Sequence, residues 1–258
     1  MNNVAYSIDV SNLTVAYHAS REKVIACEDV SFRTRSGEFV AIVGASGCGK
    51  TTILNTIGGF VKPTSGSVRI NDRLVTRPTA ACTVVFQSYA LFPWMTVEQN
   101  LYFGLRMKGL SRVQANPLIE KYLTMTGLSG TGPMYPYQLS GGMQQRVALA
   151  RALAIEPDSI LMDEPFAAVD LQTREDLQNE LARLRGTTPQ TVLLVTHSVD
   201  EAVYLSDRVI VMGQRPGRII SIHDVPLESP RKRELRSSPQ YLAIRDQVSD
   251  QLRSVHAK

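Results

Sequence analysis

The chain has 258 residues and a formal net charge of +4, and 43% of its residues are hydrophobic. No apolar run approaches the roughly 18 residues of a membrane-spanning helix, so a membrane role requires a partner subunit. We expect a cytoplasmic protein, because the amino terminus lacks the pattern of a secretory signal and the three cysteines show no metal or disulfide spacing.

The whole chain is long enough for one large α/β domain or two smaller ones. Predicted strands dominate its first part. The strands, separated by turn residues, are predicted at 13–17, 30–33, 39–43, 67–70 and 83–86. Segment 39–43 is wholly apolar and leads into a glycine-rich loop, as a buried strand of a largely parallel sheet would. A helix from Lys50 to about Gly58 should follow this loop.

The middle of the chain changes character at about residue 93. From 93 to 155 the sequence loses β-branched runs and gains helical spacing, which predicts a helical insert. Beyond it, strand-like runs at 159–162, 191–196 and 209–212 alternate with helical segments at 171–185 and 199–205. This alternation is the βαβ pattern of a sheet with parallel strands.

The sequence of the last part of the chain predicts a linker followed by a helix. Residues 226–236 are polar and predict the linker. Apolar residues then recur with the spacing of an amphipathic helix, at Tyr241, Ile244, Val248 and Leu252. Much of the positive charge lies in Arg231, Lys232 and Arg233, which predicts a solvated tail.

The glycine-rich loop matches the phosphate-binding pattern G-x-x-x-x-G-K-[ST]. It reads Gly44, Ala45, Ser46, Gly47, Cys48, Gly49, Lys50 and Thr51. Glycines let backbone N–H groups turn around an anion, and the following helix adds the partial positive charge of its N-terminus. Lys50 supplies charge for the outer phosphates, and the Thr51 hydroxyl can ligate Mg²⁺. We assign these residues and Thr52 to ATP.

Polar side chains follow the ends of several predicted strands. Asp163 and Glu164 come directly after strand 159–162, at the edge where α/β sheets hold their ligands. We assign Asp163 to Mg²⁺ and Glu164 to the water that attacks the γ-phosphate, as base or orienting group. Gln87 and His197 follow two other strands and could reach the same region, although a surface or capping role is the alternative.

A second helix start has the composition of an anion site. Ser140, Gly141 and Gly142 precede a helical run whose apolar stripe includes Val147 and Leu153. Ser140 can cap this helix, and the glycines expose backbone donors. A capped helix after a flexible turn, with no ligand, is the alternative.

Together these motifs resemble an ABC transporter ATPase over nearly the whole chain. The motifs, in family order, are the phosphate loop, Gln87, the run 139–146 (LSGGMQQR), the run 160–165 (ILMDEP), the run 168–170 (AVD) and His197. The resemblance implies an α/β fold: a P-loop NTPase core with an N-terminal antiparallel β subdomain and an inserted α-helical subdomain. It places the core at 1–92 and 156–227, the helical subdomain at 93–155, and a C-terminal linker and helix at 228–258.

The resemblance also implies a shared ATP site. Two cassettes, either identical or paralogous, pair head to tail, so that one contributes residues to the nucleotide held by the other. The residues acting in trans are Ser140, Gly141, Gly142 and Asp170. Within one cassette, Tyr17 stacks on adenine, Gln87 contributes to catalysis and to the Mg²⁺ site, and His197 acts in catalysis.

Three segments, one of them within the run 139–146, resemble the nitrate, sulfonate and taurine group of bacterial importer ATPases. They are the runs 91–100 (LFPWMTVEQN), 139–143 (LSGGM) and 215–219 (RPGRI). This resemblance implies transmembrane permease subunits as partners, a periplasmic or lipid-anchored substrate-binding protein acting indirectly, no nucleic acid, and a peripheral place on the cytoplasmic face of the bacterial inner membrane. By the same resemblance, Phe92 and Trp94 lie near the groove that receives the permease, with burial in the helical insert as the alternative.

Other functions remain open at this point. One alternative is an importer for a different small solute. A second is an ABC ATPase outside transport, although the chain lacks the long coiled-coil insertion or the second cassette that such proteins carry. A third is a module that holds ATP without turning it over, which Glu164 and His197 argue against.

Overall fold

The structure is a computed structural model that describes residues 6–19, 22–185 and 189–256. Strands and helices alternate one by one from residue 159 to residue 212, and three α-helices follow one another between residues 97 and 154. In chain order the strands are β1 (Tyr6–Ala19), β2 (Glu22–Arg35), β3 (Phe39–Gly44), β4 (Ser65–Ile70), β5 (Arg73–Leu74), β6 (Cys82–Val85), β7 (Ser159–Asp163), β8 (Thr191–Thr196), β9 (Arg208–Met212) and β10 (Ile219–Asp224).

The strands form two sheets of different type. The first is antiparallel, with the order β2-β1-β4-β5. The second has the order β10-β9-β3-β8-β7-β6, in which only β10 runs antiparallel to its neighbour. The predicted α/β fold class, with an antiparallel N-terminal sheet beside a parallel core sheet, is confirmed.

The apolar strand β3 lies in the middle of the second sheet, between β9 and β8, and both of its faces are buried. Phe39, Ala41 and Val43 pack into a core shared with helices, whereas Val40 and Ile42 pack into a second core against the antiparallel sheet. Side chains alternate across a strand, so a strand with two buried faces reads as a continuous apolar run. This burial anchors the glycine-rich loop that follows it.

Seven α-helices accompany the sheets in the described part of the chain. They are α1 (Lys50–Ile57), α2 (Val97–Met107), α3 (Arg112–Met125), α4 (Gly141–Ala154), α5 (Leu171–Arg185), α6 (Val199–Leu205) and α7 (Pro239–His256). Thr96 is the N-cap of α2 and Ser111 is the N-cap of α3. Each forms a capping box with the glutamine three residues later in the chain. None of the described helices is long and apolar enough to cross a membrane.

Helices α2, α3 and α4 pack on one another in the stretch between β6 and β7. A short 3₁₀ turn, Pro136–Gln138, precedes α4. The helical character predicted for 93–155 is therefore present, and the division of the chain into subdomains stays a prediction. Two strands escaped prediction: β5 has only two residues, and β10 lies at the sheet edge with alternating partial exposure.

The prediction of a solvated tail at residues 231–233 was wrong for Arg231. Lys232 and Arg233 are exposed, but Arg231 is only 4% exposed. Its guanidinium donates to the carbonyl oxygens of Val203 at 2.6 Å, Tyr204 at 3.0 Å and Val225 at 3.3 Å. Carbonyls at a helix C-terminus lack partners within the helix, and the end of α6 supplies two of them here. The segment predicted as a polar linker is therefore docked on the core.

Candidate functional site

The glycine-rich loop connects β3 to α1 at the carboxyl edge of the core sheet. Gly49 caps α1 with φ of 95°, a left-handed conformation that disfavours any side chain. A Cβ on Gly49 would lie 2.5 Å from the Ala26 carbonyl oxygen, so β2 also excludes one. Gly47 has φ of 77°. Both glycines let the loop turn tightly, with the start of α1 pointing toward the space that the loop surrounds.

Lys50 is held inside this loop although it carries a charge. The residue is 4% exposed, and its Nζ donates to the carbonyl oxygens of Gly44 at 2.8 Å and Ala45 at 2.9 Å. Buried charges require such hydrogen bonds. The loop backbone thus positions the ammonium group at the point where the loop closes on itself.

Thr51 and Asp163 meet across the cleft between α1 and β7. The Thr51 hydroxyl donates to Oδ1 of Asp163 at 3.1 Å. Burial raises the pKa of Asp163, the negative charge of Glu164 raises it further, and the Thr51 hydrogen bond and Lys50 oppose this shift. Hydroxyl and carboxylate oxygens are the ligands that Mg²⁺ prefers, so the residues present fit a magnesium ion.

Glu164 and His197 are brought together by the pairing of β7 with β8. Each follows the end of its strand, and Nδ1 of His197 lies 3.2 Å from Oε2 of Glu164. Glu164 has φ of 45°, which is unusual for a residue with a side chain and is typical of functional sites. Its backbone N–H donates to the Val195 carbonyl at 2.9 Å, which holds this conformation in place.

Gln87 and Tyr17 belong to different sheets, since Gln87 follows β6 and Tyr17 lies in β1. Gln87 is exposed and follows β6, the neighbour of β7, so it projects from the same edge of the sheet as Asp163. Tyr17 lies in β1, is exposed, and its hydroxyl is 3.4 Å from Oγ1 of Thr52 at the start of α1. Both predicted residues are therefore accessible from solvent, and Tyr17 lies beside the start of α1.

The loop residues surround a cleft of about 220 Å³. The cleft is lined by Ala26, Ser46, Gly47, Gly49, Lys50, Thr51, Thr52 and Glu164. Among the described residues, this lining includes none of the four predicted to act in trans. A larger polar cavity of about 480 Å³ lies elsewhere, beside Asp158 and Gln190 at the amino ends of β7 and β8, and contains no phosphate-binding motif.

The four residues predicted to act in trans form their own cluster at the starts of α4 and α5. Ser140 caps α4 by accepting a hydrogen bond from the Met143 N–H at 3.3 Å. Gly142 packs against Thr173, whose N–H and hydroxyl donate to the Asp170 carboxylate at 3.0 and 2.7 Å. These hydrogen bonds lower the pKa of Asp170. The structure thus brings these residues together, with Ser140 and Asp170 exposed and Gly142 buried beside Thr173.

Three residues of this region were missed by the sequence reasoning. Thr173 joins Gly142 to Asp170, and an aspartate directly before a helical run could have indicated such a cap. Tyr89 has φ of 58°, and its hydroxyl lies 3.4 Å from the Ala168 carbonyl. Arg151 of α4 donates to the carbonyl oxygens of Tyr89 and Ala90 at 3.2 and 2.7 Å. No sequence signal marks these two contacts.

Comparisons with known proteins identify the family of this chain. The ABC transporter family profile matches residues 27–167. The taurine import ATP-binding protein TauB of Pelagibacter ubique is 43% identical over 242 residues, covering 92% of this chain and 91% of that protein. The nitrate import ATP-binding protein NrtD of Synechocystis sp. is 40% identical over 252 residues, covering 95% of each.

A solved structure shows the same fold with nucleotide bound. It is a dimeric ATP-binding cassette in a post-hydrolysis state, bound to ADP and phosphate. The match has a TM-score of 0.74 and 32% identity, and it covers 86% of this chain and 100% of that chain. With the phosphate loop and the two-sheet fold, these similarities show that the chain belongs to the ABC transporter family and is an ATP-hydrolysing cassette.

Proposed function

We propose that this chain is the ATPase subunit of a bacterial importer for a small anion or organic sulfonate, of the nitrate, sulfonate or taurine type. The observation that carries the proposal is the 40–43% identity to taurine and nitrate import ATP-binding proteins over nearly the full length of each. In this proposal the cassette is peripheral to the cytoplasmic face of the inner membrane. It serves permease subunits and, through them, a substrate-binding protein.

The nucleotide would be held mainly by backbone and charge. N–H groups of residues 47–51 and the start of α1 face the phosphates. Lys50, already held by the carbonyls of Gly44 and Ala45, provides positive charge beside them. Tyr17, exposed beside Thr52, would stack on adenine through its ring face.

Thr51, Asp163 and Gln87 would hold Mg²⁺, which when bound supplies positive charge that neutralises the phosphate oxygens. Glu164 would orient the attacking water and take its proton. The new bond joins the water oxygen to the γ-phosphorus, and the bond to the bridging oxygen of ADP breaks. His197, hydrogen-bonded to Oε2 of Glu164, would fix the direction of that carboxylate.

The site would be completed by a second cassette. One cleft of about 220 Å³ is smaller than the roughly 300–1,000 Å³ of typical ligand pockets, which favours a nucleotide shared between two surfaces. In the cluster of Ser140, Gly141, Gly142 and Asp170, all but Gly142 are exposed. The backbone N–H groups at the start of α4 would suit the γ-phosphate held by a partner. ATP would then stabilise the closed dimer, and phosphate release would reopen it.

An exposed aromatic patch supports permease docking. Trp94 is 69% exposed, and the ring of Phe92 lies 5.7 Å from that of Trp94 and 4.7 Å from that of Phe103. Exposed apolar patches of this kind mark interaction surfaces. The exposure of Trp94 argues against its burial inside the helical insert and supports its role at the permease groove.

Growth of a deletion strain on single nutrients tests the proposal. We expect loss of growth on nitrate as nitrogen source, or on taurine or another sulfonate as sulfur source. Growth should return with the wild-type gene and fail to return with Glu164→Gln. A defect confined to a different nutrient would contradict the substrate class. Absence of any nutrient defect, with no permease co-purifying from detergent extracts, would contradict the transport role.

A further inference from the structure

The C-terminal segment, residues 226–256, contacts helix α6 at both of its ends. At the C-terminal end of α6, the buried Arg231 donates to the carbonyls of Val203 and Tyr204. The guanidinium of Arg236 lies 3.9 Å from the centre of the Tyr204 ring. These contacts fix one end of α6 against a segment far along the chain.

Asp200 in the first turn of α6 is the second point of attachment. Its carboxylate forms an ion pair with Arg236. The Tyr241 hydroxyl donates to the Asp200 carboxylate at 2.5 Å and lies 3.0 Å from its backbone carbonyl. Tyr241 is fully buried, so its ring position is set by packing. Together Asp200, Arg236 and Tyr241 form what we term the α6 clamp.

The clamp residue Asp200 is only three residues after His197 in the chain. His197 lies between the end of β8 and Ser198, which caps α6. Its neighbours are tied to the first turn: the Thr196 hydroxyl donates to Glu201 at 2.6 Å, and Ser198 accepts from the Glu201 N–H at 3.3 Å. The imidazole itself is 56% exposed. Its orientation therefore depends on how firmly the start of α6 is held.

We infer that the α6 clamp is a positioning device for His197, so that the C-terminal segment controls how the imidazole meets Glu164. None of the three clamp residues is assigned to nucleotide contact. The clamp should therefore act on the rate of hydrolysis and not on ATP affinity. The inference rests on the catalytic role proposed for His197.

Steady-state hydrolysis of γ-labelled ATP by the full-length protein, measured at varied ATP concentration, tests the inference. The radioactive label makes slow residual rates measurable. Tyr241→Phe removes the hydroxyl and keeps the buried ring, and Arg236→Gln removes the ion pair. We expect each to lower kcat by about tenfold, since small displacements of catalytic groups are costly. The KM for ATP should stay within about twofold of wild type, because the phosphate loop is untouched. Arg236→Lys should recover part of the lost rate.

A matched control separates the clamp from general loss of surface charge. Arg233, which lies on the same C-terminal segment as the clamp residues Arg236 and Tyr241, forms an ion pair at the surface with Glu175 of α5. Arg233→Gln breaks this pair and should leave kcat unchanged. Melting temperatures measured on all variants identify any that fail to fold. Should Tyr241→Phe unfold the protein, Arg236→Gln and Arg236→Lys carry the test.

A double-mutant cycle distinguishes positioning from a structural role. In a His197→Ala background, Tyr241→Phe should cost less than about twofold in rate, because the group it positions is gone. An equal loss in both backgrounds would overturn the inference and leave the role of His197 intact. So would wild-type kcat in both clamp variants. A wild-type rate for His197→Ala alone would instead overturn the proposed catalytic role, and the inference with it.

Discussion

Replacement of Gly142 by alanine tests how the start of α4 is held. A Cβ at this position lies 2.2 Å from Cγ2 of Thr173, well inside contact distance. Thr173 has little freedom to turn away, because its hydroxyl donates to Asp170 at 2.7 Å and its N–H at 3.0 Å. Overpacking of this kind costs about 1–3 kcal/mol. For a chain of this size that lowers the melting temperature by roughly 2–12 °C.

A second substitution should reverse the damage. Thr173→Ser removes Cγ2, and the remaining contacts of the new Cβ, at 3.6 Å from Cβ and 3.8 Å from Oγ1 of residue 173, are ordinary. The serine hydroxyl can keep the bond to Asp170. We therefore expect Gly142→Ala to lower both melting temperature and ATPase rate, and Gly142→Ala with Thr173→Ser to restore both. Thr173→Ser alone is the control and should resemble wild type.

Calorimetry and a steady-state ATPase assay measure the two outcomes. Unchanged stability in Gly142→Ala would refute the steric reasoning. If the double variant regained its melting temperature but not its ATPase rate, the new methyl group would have to obstruct the partner's nucleotide. Gly142 would then be required for a reason other than its packing on Thr173.

Further substitutions test individual contacts. Lys50→Ala should weaken ATP binding roughly tenfold to a hundredfold by removing charged hydrogen bonds, measured by titration with a fluorescent ATP analogue. Tyr17→Ala should weaken binding by a similar factor through lost stacking, whereas Tyr17→Phe should bind like wild type in the same titration. Arg231→Met leaves buried carbonyls without donors and should cost about 2–4 kcal/mol in urea unfolding, with Arg233→Gln as a neutral control.

Local patterns in the sequence predicted the parts of the fold that depend on neighbouring residues. The bounds of α5, β8 and α6 agree with prediction. β8 in particular is a continuous run buried along its whole length. The phosphate loop could be read directly, since its function depends on glycines and a lysine at fixed spacing. By contrast β10 lies at the sheet edge and alternates between half-buried and exposed residues, so it lacks the continuous apolar run that marks the buried strands.

Contacts between distant parts of the chain explain what the sequence could not show. Arg231 looked like a solvated charge because its partners, the carbonyls at the end of α6, are 27 and 28 residues earlier. Gly142 was expected to expose backbone donors, and its packing against Thr173 adds a steric reason for glycine. The left-handed backbone of Glu164 and Tyr89 leaves no mark on composition, because neither residue type favours it.

Light scattering of Glu164→Gln with and without ATP tests the shared site most directly. This variant keeps the shape of the side chain but lacks a carboxylate to accept the proton of water, so ATP should persist between the two surfaces. We predict the mass of a single chain without nucleotide and the mass of two chains with ATP. Binding of one ATP per chain while the protein stays monomeric would contradict the account.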